Sequence, residues 1–268
     1  MNGNRSDSRL TIILLIDALG WEVVREFGFC ADVLPRSGPL DTVLGYSSAA
    51  IPSLLCGAPP AVHGAWAMYR YAPAESPFKP LRYVPNLPHP LEWRLRNLVR
   101  RYLARRATIK GYYDLYEIPL RVLGFLYVGQ RGDPYDPGGM PVETIFDRFV
   151  SRGVKYRAWT YKTSEEHNFE ALREAIDSDN SVLFLYTAEL DALMHRVGTG
   201  HPDVGSRLAF YESRIRDFLA AGAGAGRETA LLVFSDHGMT NIDRVVDVMG
   251  MGTGVDRFRA RTAWMRFQ

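Results

Sequence analysis

Asp236 and His237 form the most informative short motif of the sequence, Ser235-Asp236-His237-Gly238-Met239. An aspartate followed directly by a histidine, at the end of an apolar run and before a glycine, offers a carboxylate oxygen and an imidazole nitrogen from one tight turn. These two donors suit Zn²⁺ or a related divalent metal. A capped strand end that carries a hydrogen-bonded histidine explains the same residues, so the motif alone leaves both interpretations open.

A second aspartate and histidine, Asp191 and His195, lie four residues apart. If this stretch is helical, the two side chains lie on one face and can share a metal ion. A hydrogen bond between the two side chains explains the same spacing. The pair is therefore either a candidate metal site or a local Asp–His contact.

Ser47 and Ser48 begin a predicted helix, which follows a predicted strand end, within residues 44–57. A serine at a helix N-terminus faces free backbone N–H groups and the positive end of the helix dipole, and this geometry binds anions such as phosphate. The hydroxyl can also act as a nucleophile when a metal ion lowers its pKa. A simple N-cap is the alternative, since serine is a favourable N-cap residue.

Three apolar runs end at or near an aspartate, and they predict the elements that position these side chains. Continuous apolar runs of this length are typical of strands buried on both faces, as in a parallel sheet. The runs are 11–17, which ends at Asp17, 181–187, which precedes Asp191, and 229–235, which precedes Asp236. Because the carboxyl ends of parallel strands share one edge, we expect the three carboxylates to converge there. A cation would compensate their mutual repulsion.

Helical patterns lie between these runs, at 142–153, 165–176 and 202–221. Strands that alternate with helices predict an α/β fold, with a mostly parallel central sheet flanked by helices. We expect a single domain of this kind over residues 1–268. The segment Gly222-Ala-Gly-Ala-Gly226 lacks the spacing of a dinucleotide-binding loop and is predicted to be a flexible connection.

Residues 66–140 differ from the rest of the chain and are predicted to form an inserted cap or substrate-binding region. They are rich in proline and tyrosine, and from Leu91 to Lys110 they carry seven basic residues against one acidic residue, Glu92. This basic helix is interpreted as a solvated face, as an attractor of an anionic substrate, or as a peripheral contact with an anionic membrane surface. The basic residues are Arg94, Arg96, Arg100, Arg101, Arg105, Arg106 and Lys110, and the apolar stripe is Leu91, Leu95, Leu98, Tyr102 and Leu103.

The composition excludes several classes of protein. With 268 residues, 47% hydrophobic and 23% charged, the chain is neither disordered nor fibrous. A net charge of +2 gives no global field for duplex nucleic acid, and two cysteines are too few for a disulfide framework. The early apolar run is too short for a membrane span and lacks a signal-peptide cleavage site, so we expect a cytoplasmic protein without a transmembrane segment.

The order of the motifs resembles the alkaline phosphatase superfamily, in its type I phosphodiesterase/nucleotide pyrophosphatase branch. The shared features are an early strand-end aspartate, a serine ten residues before a glycine, a later Asp-x-x-x-His and then Ser-Asp-His-Gly-Met. Counting back from Gly57 gives Ser47, with Ser48 as the near miss. The turn that contains His63 and Gly64 matches a further family motif, whose histidine is structural. The resemblance covers residues 12–64 and 186–239.

The resemblance implies two divalent ions per chain, Zn²⁺ with Mn²⁺ as an alternative. The implied ligands of the first ion are Asp17, Ser47, Asp236 and His237, and those of the second are Asp191 and His195 together with a later histidine. No histidine follows His237. The second ion would therefore use a substitute such as His201 or water, or the chain is a truncated or degenerate member of the family.

The activity that the resemblance implies is a metal-dependent phosphodiesterase or nucleotide pyrophosphatase, a phosphoric ester hydrolase. Ser47 would attack phosphorus and form a phospho-serine that water then releases. The expected partner is an anionic phosphoester small molecule, with phosphodiesters favoured over monoesters, and transfer to an alcohol stays open. The alternatives are a catalytically impaired or non-catalytic member of the fold, and a metal-free serine hydrolase whose triad is Ser47, Asp191 and His237.

Overall fold

The computed structural model describes residues 9–44, 46–85, 87–106, 109–111, 113, 115, 118–242 and 244. Predictions that involve Gly45, the side chains of Arg105 and Arg106, and the residues after Arg244 concern positions outside the described part.

Strands and helices alternate along the described chain. The first half contains β1 (Arg9–Ile16), α1 (Trp21–Phe27), α2 (Ser47–Cys56), α3 (Pro60–His63), β2 (Tyr69–Tyr71), a 3-10 helix (Lys79–Tyr83), α4 (His89–Arg106), α5 (Leu120–Leu123) and β3 (Leu126–Val128). The second half contains α6 (Ile145–Ser151), β4 (Tyr156–Trp159), α7 (Glu165–Ala175), β5 (Val182–Thr187), α8 (Glu189–Val197), α9 (Pro202–Gly224) and β6 (Glu228–Phe234).

The main sheet has the strand order β4–β5–β1–β6, and neighbouring strands are parallel. Ile16 of β1 pairs with Thr187 of β5, and Leu15 pairs with Phe234 of β6, so these three strands end side by side. β5 is buried along its whole length and β1 nearly so, because a central parallel strand is covered on both faces. The predicted α/β fold with a mostly parallel sheet is confirmed.

Apolar clusters on the two faces of the sheet hold the helices in place. On one face, Leu10, Ile12, Leu14 and Ile16 of β1 pack with residues of α7, α8 and α9, and on the other face Ile13 and Leu15 pack with residues of α2 and α6. The largest fully buried side chains include Phe146 of α6 and Tyr211 of α9. Burial of apolar surface, at about 25 cal/mol per Å², is the main favourable term that holds these layers together.

Two local predictions are wrong. Residues 38–44 form no strand before α2, since this irregular segment lies outside the apolar pattern of the sheet. The glycine-rich segment is partly helical, because α9 continues to Gly224. A Cβ on Gly222 would lie 2.1 Å from Thr229 Oγ1, so glycine lets the end of α9 pack closely against the start of β6.

Residues within the predicted cap form an apolar cluster of their own. β2 and β3 pair as a separate antiparallel sheet. A buried cluster includes Phe78, Leu103, Leu123 and Val128, with Leu95 of α4 packed against it. The division of the chain into a main domain and a cap over 66–140 stays a prediction. Among the described helices, none has both the length and the apolar character that crossing a bilayer requires.

Candidate active site and metal centre

The turns that follow β1 and β6 meet at the carboxyl edge of the sheet. Asp17 follows β1 directly, and Asp236 and His237 come two and three residues after the end of β6. A Cβ on Gly20 would lie only 2.5 Å from the Cα of Gly238. The close approach of the two turns therefore depends on glycine at this contact, and it brings the strand-end side chains together as the topology predicts.

Ser47 is the first residue of α2, and its hydroxyl lies against both strand-end turns. Its Oγ is 2.9 Å from His237 Nε2 and 3.2 Å from Asp17 Oδ1. The N-cap position belongs to Tyr46, so the interpretation of Ser47 as a simple N-cap is wrong. Tyr46 has φ 61° and ψ −174°, and such a conformation costs a non-glycine residue about 1–3 kcal/mol and is concentrated at functional sites.

The side chains of Asp17, Asp236 and His237 offer donor atoms that all lie within 4.8 Å of one another. His237 Nε2 is 3.2 Å from Asp17 Oδ1 and 3.5 Å from Asp236 Oδ2. His237 Nδ1 donates to the Gly238 carbonyl at 2.9 Å, so Nε2 carries the lone pair of the neutral ring. Asp236 Oδ2 is buried and has no hydrogen-bond partner among the described residues. This donor set fits a divalent metal.

Crowding of two buried carboxylates changes their proton affinities. Burial opposes ionisation of Asp17, but hydrogen bonds from His237 and Tyr186 outweigh it and hold its pKa below the usual value. Burial, and then the charge of Asp17, raise the pKa of Asp236 to about 7. Burial disfavours the charged ring of His237, but its hydrogen bond to Asp17 and the charge of Asp236 raise its pKa to about 9. The cluster without metal thus retains protons that a divalent cation would displace.

Two tyrosines that the motifs did not single out support this cluster. Tyr186, near the end of β5, donates a hydrogen bond from its hydroxyl to Asp17 Oδ2 at 2.5 Å. Tyr135 packs its ring against that of Tyr186, with a centroid distance of 5.3 Å. The backbone N–H of Tyr135 donates to Asp133 Oδ1 at 3.0 Å, and the Tyr161 hydroxyl donates to Asp133 Oδ2 at 3.0 Å. Asp133 therefore anchors Tyr135 beside the site.

The hydroxyl of Tyr135 is buried and has no hydrogen-bond partner in the described part of the chain. We therefore expect Tyr135→Phe to raise the free energy of unfolding by about 1 kcal/mol, because a buried hydroxyl without a partner costs about 1–3 kcal/mol. Urea unfolding monitored by circular dichroism measures the change. Tyr186→Phe is the matched control and should lower stability, since it loses the bond to Asp17. A destabilised Tyr135→Phe variant would contradict the assignment.

Asp191 and His195 lie on one face of α8, with His195 Nε2 3.3 Å from Asp191 Oδ1. That oxygen is buried and makes no hydrogen bond to any described residue. Burial, and then the charge of Asp17, raise the pKa of Asp191, so the pair lies within electrostatic range of the first cluster. Within the described chain, neither residue joins the group formed by Asp17, Asp236 and His237. Their assignment to a second metal ion stays a prediction.

His201 lies at the start of α9 and not among the strand-end side chains. Its Nδ1 accepts a hydrogen bond from the backbone N–H of Asp203 at 3.2 Å, as the N-cap of the helix. This role explains the residue without a metal. A second ion would need a third protein ligand besides Asp191 and His195. Among the described residues that the sequence analysis singled out, none is left as a candidate for it.

The geometry lacks a key contact of the metal-free triad. In such a triad the acid accepts a hydrogen bond from the histidine nitrogen that does not face the nucleophile. Ser47 lies at His237 Nε2, but Nδ1 bonds to the Gly238 carbonyl. Asp191 faces His195 instead, so the proposed order Ser47, Asp191 and His237 has no acid in the orienting position.

His63 forms a satisfied internal hydrogen-bond chain, in line with the structural role that the resemblance implies. The backbone N–H of Ala65 donates to His63 Nδ1 at 3.2 Å, so Nε2 carries the proton and donates to Ser53 Oγ at 2.9 Å. Ser53 Oγ in turn donates to the Ala49 carbonyl at 2.8 Å. The chain ties the turn after α3 to α2, which carries Ser47.

The sequence and the fold both have known relatives. Residues 128–257, just under half of the chain, match the family described as type I phosphodiesterase/nucleotide pyrophosphatase. No curated protein matches the sequence significantly. Among solved structures, murine ectonucleotide pyrophosphatase/phosphodiesterase 5 (ENPP5, NPP5) is similar, with a TM-score of 0.55 and 15% identity over 88% of this chain and 59% of the murine chain.

An identity this low shows a shared fold alone, and this chain spans about three-fifths of the length of the murine chain. The family match covers Asp191, His195, Asp236 and His237, while Asp17 and Ser47 come from the part of the chain before it. The predicted resemblance to the type I phosphodiesterase/nucleotide pyrophosphatase branch of the alkaline phosphatase superfamily is confirmed.

Proposed function

We propose that the chain is a metal-dependent phosphodiesterase or nucleotide pyrophosphatase that uses Ser47 as its nucleophile. The observation that supports this function best is the meeting of Ser47 Oγ with Asp17 and His237 at 3.2 and 2.9 Å, beside an Asp236 oxygen that has no partner in the described chain. The cluster combines a hydroxyl, two carboxylates and an imidazole. These groups can supply the nucleophile and the metal ligands for phosphoryl transfer through a covalent intermediate.

Each residue of the cluster has a distinct role in this proposal. Asp17, Asp236 and His237 would hold a divalent ion such as Zn²⁺, with Ser47 Oγ as a further ligand, while Asp191 and His195 would contribute to a second ion. Bound metal supplies Lewis-acid stabilisation of charge and lowers the pKa of the nucleophile. Tyr186 holds Asp17 in place through its 2.5 Å hydrogen bond.

The bond-making step belongs to Ser47. Ser47 gives up its hydroxyl proton to solvent and its Oγ attacks phosphorus. The bond to the leaving alkoxide or phosphate breaks, and a phospho-serine forms that still carries the second ester group of the substrate. Water then attacks the phospho-serine, releases the phosphoryl product and returns the hydroxyl. Because Ser47 is the first residue of α2, the positive end of the helix dipole favours the phosphoryl oxygens in both steps.

The substrate class that we propose is a small anionic phosphodiester, including nucleotide sugars and dinucleotides. The family match supports a diester or pyrophosphate bond rather than a simple monoester. A second candidate function is a non-catalytic member of the same fold. The observation that favours it is that the proposed second metal site is incomplete. Two side chains, Asp191 and His195, are assigned to it, and His201 serves as an N-cap instead of a third ligand.

The decisive experiment assays a panel of phosphate mono- and diesters with Zn²⁺ or Mn²⁺ and measures bound metal by elemental analysis of the same preparation. We expect diester hydrolysis that chelation abolishes and that added metal restores. Hydrolysis that survives complete metal removal would contradict the metal-dependent mechanism. Absence of both bound metal and turnover across the panel would assign the chain to the non-catalytic alternative.

A further inference from the structure

The helix α4 exposes a stripe in which apolar residues and arginines alternate. Its members follow one another at spacings of three, four, three and one residues, which places them on one side of the helix. They are Leu91, Arg94, Leu98, Arg101 and Tyr102. The side chains are exposed to solvent, with 49% for Leu91, 58% for Leu98 and 54% for Tyr102. We call these five residues the outer stripe of α4.

The opposite side of α4 fixes the helix to the protein. Leu103 is buried in the apolar cluster of the predicted cap, and Leu95 and Val99 pack against the same cluster. Arg96 is buried, forms an ion pair with Glu92 and donates to the Ile118 carbonyl at 2.9 Å. The packing of α4 against the cluster therefore uses its inner side, and Leu91 and Leu98 of the outer stripe stay exposed.

The charge beside the stripe is uncompensated in the described chain. Glu92 is the one acidic residue of α4, and it is used by Arg96. Arg94, Arg100 and Arg101 are exposed, and no described carboxylate is recorded within ion-pair distance of them. Trp93 is also exposed, at 53%, but it lies on the far side of the helix from Leu91 and Leu98. The outer stripe, with its leucines, its tyrosine and arginines that form no ion pair among the described residues, therefore combines apolar and cationic character.

We propose that the outer stripe of α4 docks on the surface of an anionic lipid membrane. Arginine guanidinium groups pair with lipid phosphates, while the side chains of Leu91, Leu98 and Tyr102 enter the boundary between head groups and acyl chains. A nucleic acid would use the arginines and aromatic rings but would leave Leu91 and Leu98 in water. The helix is about 27 Å long at 1.5 Å per residue, so its whole length can lie along one membrane surface.

The docking surface is independent of the proposed function, because it uses no residue of the metal cluster. The test is flotation of the full chain with vesicles of phosphatidylcholine that contain phosphatidylserine, against vesicles of phosphatidylcholine alone. We expect binding to the anionic vesicles only, and a loss of that binding in about 1 M salt, where the Debye length falls to about 3 Å.

Two double variants separate the charged and apolar contributions. Arg94→Gln with Arg101→Gln should weaken vesicle binding about thirtyfold, since each basic residue near an anionic surface contributes about fivefold. Leu91→Ser with Leu98→Ser should weaken it about tenfold. Arg25→Gln with Arg152→Gln removes two exposed arginines from other helix ends and should bind as the unmodified chain does. Circular dichroism and the thermal midpoint verify that all variants fold.

Five results would overturn the proposal. The first is absence of binding to anionic vesicles, and the second is equal binding to vesicles without phosphatidylserine. The third is vesicle binding that neither double variant weakens. The fourth is tight binding of a single-stranded oligonucleotide that the arginine variant loses and the leucine variant keeps, which would assign the stripe to nucleic acid. A raised KM for a soluble diester in the arginine variant, with unchanged vesicle binding, would assign it to substrate attraction instead.

Discussion

Ser47→Ala is expected to lower phosphodiester turnover by about four orders of magnitude or more while the protein stays folded. The hydroxyl is the nucleophile of the proposed mechanism, and it lies 2.9 Å from His237 Nε2 and 3.2 Å from Asp17 Oδ1. Its loss removes those polar contacts at a cost of about 1–2 kcal/mol in stability. Steady-state kinetics with metal present, together with thermal unfolding, measure both effects.

Ser48→Ala is the matched control, because Ser48 is the neighbouring hydroxyl and the near miss in the family spacing. We expect this variant to keep turnover within a few-fold, since the contacts with Asp17 and His237 belong to Ser47. Acid quench of the unmodified enzyme during diester turnover should trap the remaining phosphoryl ester of the substrate on Ser47. Full activity in Ser47→Ala, or a phosphate trapped on Ser48, would move the nucleophile and contradict the proposed mechanism.

The first metal cluster could be predicted because its causes are local in the sequence. Asp17 and Asp236 each follow an apolar run that only a buried strand accommodates, and parallel strands bring their carboxyl ends to one edge. His237 comes with Asp236 through the same turn. The contact between the two turns at Gly20 and Gly238 is a consequence of that arrangement. The sequence marked Gly238 as part of the motif around Asp236 and His237, but no pattern marked Gly20.

The hydrogen bond from Tyr186 that holds Asp17 in place could not be predicted, because it joins segments far apart in the chain. Tyr186 lies in a strand whose pattern predicts burial on both faces but does not say which polar group its hydroxyl meets. Tyr135 lies in the segment assigned to the cap, yet it packs with Phe146 and Phe184 of the main core. Only the folded chain shows that these two rings pack against each other beside the carboxylate.

The spacing to Gly57 was enough to predict Ser47 as the candidate nucleophile. It was not enough to predict that Ser47 is the first residue of α2 and not its N-cap. Serine is frequent at N-caps for local reasons, and the local sequence could not show that Tyr46 takes that position. The strained backbone of Tyr46 is stabilised by the surrounding structure rather than by its own preference. Because Tyr46 takes the N-cap position, Ser47 is the first residue of α2, and its hydroxyl lies against Asp17 and His237.

Asp236→Asn is expected to lower metal affinity by about a hundredfold or more while it stabilises the protein without metal. The substitution removes a carboxylate whose Oδ2 is buried without a partner in the described chain, so a bound ion loses a ligand. It also removes the repulsion between Asp236 and Asp17 that, together with burial, raises the pKa of Asp236 to about 7. Titration calorimetry with Zn²⁺ and thermal unfolding in chelator measure the two opposite effects.

The pH dependence distinguishes this electrostatic cause from a packing change. A carboxyl whose pKa is raised on folding binds more protons in the folded state, so its stability penalty grows between the ordinary pKa of 3.8 and the folded pKa of about 7 and is complete above it. The stabilisation by Asp236→Asn in chelator should therefore be largest above pH 7 and disappear towards pH 4. Because the isosteric amide keeps the shape of the side chain, a stability gain that is equal at all pH values would contradict the charge repulsion. An unchanged Zn²⁺ affinity would remove Asp236 from the metal site.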